Sequence, residues 1–230
     1  MPKPKPSNVL SGLPGRLLSE LFEGAVAHNL RGGQVLFRAG DVGDGCYRIQ
    51  SGLVKVIVTS QQGEERIISL LGPDAIVGEL SMIDGGPRSA AVVAIADCSL
   101  LFLSRVKFQA YIDSHPELTS YLMKTLARRL RGADDTLAAT TFLSVKQRLA
   151  RALLSVAEYV GEQNGAGRIQ LRLKISQGDL AAMAGVAREN VSRTLGEWRK
   201  QDIVARSSNY YCINDPKGLA HDMEADSSLS

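Results

Sequence analysis

The densest chemistry in the chain lies in one string: Val77-Gly78-Glu79-Leu80-Ser81-Met82-Ile83-Asp84-Gly85-Gly86-Pro87-Arg88-Ser89-Ala90. A glycine lets backbone N–H groups approach a phosphate closely. A short helical turn starting near Glu79 would aim its free N–H groups at the same anion. Arg88 supplies a planar cation that can hold two phosphate oxygens, and Ser89 can donate one more hydrogen bond. Glu79 suits a ribose hydroxyl, because a carboxylate accepts and does not donate. The glycines and Pro87 alone would fit ordinary turns between strands. The whole string provides for a phosphate and a ribose together.

A second stretch, Ser176 to Leu195, has the pattern of two helices joined at Gly185. Ser176 and Asp179 form a capping box. Leu180, Ala184, Val186, Val191 and Leu195 fall where the two helices must pack, Ala181 is small where they cross, and Gly185 sits at a turn that favours positive φ. The second helix opens with Arg188, Glu189 and Asn190 and places Arg193 on the same side. Arginine pairs with guanine O6 and N7, glutamate accepts from cytosine N4, and Ser176 and Asn190 could hold phosphate. Read blandly, Glu189 and Arg193 are an i,i+4 surface pair on an ordinary helix. Between residues 145 and 200 there are ten Lys or Arg and five Asp or Glu, a local basic excess that suits a phosphate backbone.

Several elements must position these groups. Ser11 to His28 reads as short helical pieces, with Leu13, Leu17, Leu18, Leu21 and Phe22 at helical spacing. From Gly32 to Leu103 come short β runs broken by Gly, Pro and Asp, which predict an antiparallel jelly roll. Val106–Ser114 is a short helix, and Pro116 opens a longer one reaching about Phe142, interrupted only by Gly132. Leu118, Leu122, Leu126, Leu130 and Leu137 form its apolar stripe. About 25 residues at about 1.5 Å each exceed what one small β domain covers, so the helix is expected to pack against a copy of itself. Val145–Val160 is amphipathic, Glu162–Gly167 a loop, Ile169–Ile175 a strand and Val204–Ile213 a wing hairpin. The Pro/Lys-rich start and the polar tail after Lys217 are expected to be loose.

Composition is ordinary for a globular protein: 230 residues, 44% apolar, 22% charged, net charge +3. Cys46, Cys98 and Cys212 are dispersed with no CxxC pair, which suggests neither zinc ribbon nor disulfide framework. The most apolar stretch, Ala90 to Leu103, is too short to span a bilayer. A soluble cytoplasmic protein is expected.

Gly78-Glu79-Leu80-Ser81 with Pro87-Arg88-Ser89-Ala90 resembles the phosphate-binding cassette of cyclic-nucleotide-binding domains. The order of elements resembles the family of the cyclic-AMP receptor protein and the fumarate–nitrate reductase regulator over about residues 10 to 215. The resemblance implies an α+β fold: an N-terminal cyclic-nucleotide-binding β jelly roll (10–115), a long dimerisation helix (116–143) and a C-terminal winged helix-turn-helix (144–216), with flexible tails at 1–9 and 217–230. It implies a homodimer that binds double-stranded DNA at a palindrome and contacts RNA polymerase, with no membrane association. Gly78, Glu79, Leu80, Ser81, Arg88 and Ser89 would hold the cyclic phosphate and ribose, and Val56, Ile68 and Leu71 would line the base pocket, although jelly-roll core is an equally good reading of those three. Ser176, Arg188, Glu189, Asn190 and Arg193 would meet DNA; Arg188-Glu189 with Arg193 resembles the family's readers of a TGTGA-type half-site.

At the base edge the chain departs from the family. A Thr-Ser pair that contacts adenine is replaced by Ala133 and Asp134. The Asp134 carboxylate, or Asp135 beside it, could accept from adenine N6 or from guanine N1–H and N2, or could be a solvated charge. The effector is expected to be cAMP, the commoner one in the family, with cGMP as the alternative; a third reading is an empty pocket or another small molecule. No metal, haem or iron–sulfur cluster is expected, since residues 1–33 carry no cysteine and His28, His115 and His221 stand alone. No GxxxxGK[ST], HExxH or GxSxG motif is present, so an enzyme is not expected.

Overall fold

The computed structural model describes residue 13 and residues 15–127, 143–164, 167–207 and 210–224. They fall into two compact units, one before and one after the undescribed stretch 128–142.

The first unit is a sandwich of two four-stranded antiparallel sheets. One has the order β1-β8-β3-β6 (Val26–Leu30, Cys98–Ser104, Gly45–Ser51, Ile76–Val77); the other has the order β2-β7-β4-β5 (Val35–Phe37, Ala91–Ala94, Val54–Thr59, Glu65–Leu71). Pairing early strands with late ones in both sheets is jelly-roll topology. Ile49, Val54, Leu71, Val77, Val92 and Leu100 fill the space between the sheets. Burial of such aliphatic side chains, at about 25 cal/mol per Å² of apolar surface, is what holds the sheets together. A second cluster joins α1 (Gly15–Leu21) and α3 (Arg105–Ser114) to Cys46, Ile76, Met82 and Leu103 on the outer side of the first sheet.

Two expectations need correction here. The stretch up to His28 is not all helical, because the chain turns at Gly24 and Val26–Leu30 pairs with β8 from Val26↔Phe102 to Leu30↔Cys98. This is an edge strand exposed at its first four residues, so it shows no period-2 alternation and the pairing alone makes it a strand. The two-residue β6 gave no pattern to read. The stripe of the helix at 116–127, α4, is also reassigned. Leu118 and Leu122 are buried against α1 and α3 of the same chain, and Leu126 packs beside them. The face left outward carries Ser120, Met123 and Ala127, with Met123 65% exposed. Leu130, Gly132 and Leu137 lie outside the described residues.

The second unit starts with α5 (Val145–Val160), closed by a capping box between Ser144 and Gln147. The sheet β11-β12-β10-β9 follows, from Val204–Ser207, Tyr210–Ile213, Ile169–Leu171 and Gly161–Gln163. Residues Glu162 and Gln163, expected in a loop, are in strand because Gly161–Gln163 pairs with Leu171–Ile169. α6 (Gln177–Ala184) and α7 (Arg188–Lys200) form the helical pair. The expectation of a loose tail after Lys217 is wrong as far as residue 224. Pro216–Glu224 forms helix α8, Asp215 caps it by accepting from Gly218 N at 2.9 Å, and Leu219 is fully buried as α8 packs on α5. One apolar anchor in a polar stretch leaves too little periodicity to reveal a helix.

Candidate effector site and DNA-reading surface

Strand β6 ends at Val77, and the chain must turn at once into α2 (Leu80–Asp84). Gly78 makes that turn with φ +79°, and Glu79 caps α2. The return through Gly85 (φ +73°) and Pro87 brings Arg88 back beside Gly78, where Nη1 donates to the Gly78 carbonyl at 2.8 Å. Arg88 is 4% exposed. Its Nη2 reaches Asp44 Oδ1 at 3.3 Å, its guanidinium lies 4.3 Å from the ring centre of Phe37, and its buried Nε has no hydrogen-bond partner. A buried guanidinium with an unsatisfied N–H is costly by itself and matches an anion with an acceptor to offer.

Gly78, Glu79, Leu80, Ser81, Arg88 and Ser89 line one cavity of about 200 Å³ together with Val56, Ile68 and Leu71. Donors therefore gather at one end, while the β4–β5 side chains give an apolar wall at the other. Ile68 is 60% exposed, which fits a wall open to solvent better than the buried core reading. Burial pushes the nearby Cys46 thiol up to about 12; the Glu79 carboxylate adds to the shift and the Arg88 guanidinium opposes it. Cys46 therefore stays a neutral thiol at physiological pH and offers no thiolate. Asp134 lies outside the described residues.

Phe37, Asp44 and Ser69 also belong to this region and were not foreseen. Phe37 and Ser69 line the cavity, and Asp44 pairs with Arg88 across 44 positions of sequence. A local motif carries no signal for such distant partners.

In the second unit, Gly185 (φ +64°) ends α6, and Arg148 Nη1 donates to its carbonyl at 3.1 Å. Val191, Leu195 and Trp198 anchor α7 by one face. The opposite face leaves Arg188, Glu189 and Arg193 exposed at its N-terminal half. Arg193 Nη2 donates to Asn190 Oδ1 at 2.9 Å, and among the described residues no ion pair joins it to Glu189. Glu189 and Arg193 are thus not tied to each other by the i,i+4 pair. The Ser176 hydroxyl is engaged in the capping box, donating to Asp179 Oδ2 at 2.6 Å and accepting from Asp179 N at 2.9 Å.

Comparison with known proteins gives a family to both units. Residues 27–115 match the family model of the cyclic nucleotide-binding domain, and residues 147–221 that of the Crp-like helix-turn-helix domain. A CRP-like cAMP-activated global transcriptional regulator of Mycobacterium tuberculosis is 31% identical over 82% of this chain and 84% of its own. The chain belongs to the Crp/Fnr family of transcription regulators. The cyclic AMP receptor protein of Thermus thermophilus is 38% identical to this Crp/Fnr chain over 75% of it and 76% of that protein. The solved catabolite activator protein of Thermus thermophilus covers 94% of this chain and 98% of its own at 31% identity, with a TM-score of 0.52. The c-di-GMP responsive global regulator of Xanthomonas campestris has the same fold, at 19% identity and a TM-score of 0.73 over 87% of this chain and 99% of its own.

This Crp/Fnr regulator therefore combines a cyclic-nucleotide-binding domain with a DNA-binding helix-turn-helix domain. Among the described residues no helix is long and apolar enough to cross a membrane. A substitution at the turn follows from its geometry. A Cβ at position 78 would sit 2.4 Å from Arg88 Nη1 on a backbone with φ +79°. Gly78→Ala is expected to push the guanidinium off its seat and weaken cyclic-nucleotide binding about tenfold or more, for about 1 kcal/mol of backbone strain. Calorimetric titration beside a thermal melt checks both numbers.

Proposed function

We propose that this chain is a homodimeric transcription regulator switched by cAMP, one nucleotide per chain, which reads a palindromic site in the major groove. The observation that carries the reading is Arg88: buried, in the cavity wall, with Nε unpartnered. It would take the cyclic phosphate in company with Ser89 and the Gly78–Ser81 backbone. Glu79 would accept from the ribose hydroxyl, and Val56, Ile68 and Leu71 would face the base. One buried guanidinium matches one phosphate, which favours a cyclic mononucleotide over a cyclic dinucleotide. The relatives named for cAMP, at 31% and 38% identity, support adenine over guanine. Asp134, which the family resemblance would set at the base edge, keeps cGMP as the alternative.

A second copy would cover the outward face of α4, where Met123 is 65% exposed while the inward face is already filled. Two-fold symmetry then sets two α7 helices at half-sites about 34–36 Å apart. Arg188, Glu189 and Arg193 would meet base edges, with Asn190 and the Ser176 end of α6 near phosphates. The protein would act in the cytoplasm on RNA polymerase at promoters.

Parallel calorimetric titrations with cAMP and cGMP test the effector. The expected result is one cAMP per chain, bound more tightly than cGMP. Tighter cGMP would select the alternative, and no heat with either would overturn the nucleotide reading.

A further inference from the structure

The helix α8 was unexpected, and it ends in an arrangement that the DNA-reading face can use. Asp222 Oδ2 accepts from Trp198 Nε1 at 2.8 Å, and the same carboxylate holds Lys146 Nζ at 2.9 Å. Trp198 is fully buried in the second half of α7, and Lys146 lies in the first turn of α5. The Crp-like helix-turn-helix match stops at residue 221, one residue short of this carboxylate.

We propose that Asp222 is a positioning residue for DNA reading, and that α8 is a clasp which fixes the rotation of α7 against α5 through the indole of Trp198. An indole N–H only donates, so in a buried site it needs an acceptor. Lys146, with its side chain 38% exposed, anchors the same carboxylate from α5, so two helices share one acceptor. Trp198 is nine residues from Glu189, or about 13 Å along the helix axis. A small tilt of α7 about the indole therefore produces a larger displacement where Arg188, Glu189 and Arg193 would meet bases. Phosphate contacts, being point attractions, tolerate such a shift better than base contacts do. α8 is itself held in place, by the Asp215 cap at its start and buried Leu219 in its middle.

The inference rests on the proposed reading in which Arg188, Glu189 and Arg193 on α7 meet base edges; a wild-type protein with no preference for the enriched duplex would overturn that reading itself. Its test uses the full chain and two probes: a duplex enriched by the wild-type protein from a random pool, and a random-sequence duplex of equal length. Asp222→Leu, close in volume but without an acceptor, is expected to weaken binding to the enriched duplex about tenfold, and binding to the random duplex by less than about twofold. Asp222→Asn keeps an oxygen for the indole and should recover most of the loss. Trp198→Phe deletes the donor from the other side, and should lose specific affinity to the same extent should Asp222→Leu not fold. Unchanged specific affinity in Asp222→Leu or Trp198→Phe would overturn the proposal. So would equal losses on both duplexes in samples whose circular dichroism matches wild type, or an Asp222→Asn variant as weak as Asp222→Leu.

Discussion

Replacing Arg88 with leucine is expected to remove cyclic-nucleotide binding while leaving the jelly roll folded. Among the described residues the guanidinium is the one buried cation in the cavity wall, and a charge-assisted contact to phosphate at a buried site is worth about 3 to 4 kcal/mol, on the order of 100- to 1,000-fold in affinity. Two features protect the fold. The side chain of Asp44, the acidic partner, is 70% exposed, so losing Arg88 strands no carboxylate in the interior. Leucine can also pack on the Phe37 ring that the guanidinium now covers. Exposed Asp44 can turn to water for its lost donor, and the Gly78 carbonyl loses its Arg88 donor at a cost of about 1 kcal/mol. Arg88→Lys keeps the charge but not the two-pronged geometry, so it should retain only part of the affinity. Titration calorimetry checks affinity, and circular dichroism checks the fold.

The second large effect is expected at Arg193. It is exposed on α7, and its protein contact is the Asn190 side chain at 2.9 Å, so Arg193→Ala should leave stability nearly unchanged. A bidentate arginine–guanine contact is worth about 1 to 3 kcal/mol, so binding to the enriched duplex should weaken roughly 5- to 150-fold. Discrimination should relax at one base pair of each half-site, with the salt dependence nearly preserved. Fluorescence anisotropy on single-position duplex variants at two salt concentrations measures both. A uniform loss on all sequences with a shallower salt slope would make Arg193 a phosphate contact instead.

The contrast between these residues and the ones that went unseen shows what a sequence exposes. That Gly78 to Ser81 and Arg88 with Ser89 share one cavity could be read because they sit close together in sequence, and their types suggest one chemistry. Ser176 with Asp179, and the turn at Gly185, could be read because caps and positive φ are local. Phe37 and Asp44 could not, because they reach Arg88 only through the sandwich. The stripe of Leu118 and Leu122 correctly announced burial but not against what. Helical spacing cannot tell a second copy of the chain from α1 of the same one, and here α1 and α3 take that face. Val26–Leu30 hid for a related reason, since an edge strand takes its conformation from its partner β8. The last helix hid behind its polar composition, in which Leu219 is buried and Asp222 accepts from Trp198.

In the proposed switch, capture of a cyclic nucleotide at Arg88 changes DNA binding by α7, and a linkage measurement tests this most directly. DNA affinity is measured with and without saturating cAMP, and cAMP affinity with and without saturating duplex, in wild type and in Arg88→Leu. In wild type both affinities should change by one common factor, roughly 5- to 150-fold, because coupling between two sites is reciprocal. In Arg88→Leu the factor should fall to one. Wild-type DNA affinity that stays constant while cAMP demonstrably occupies the cavity would contradict the account.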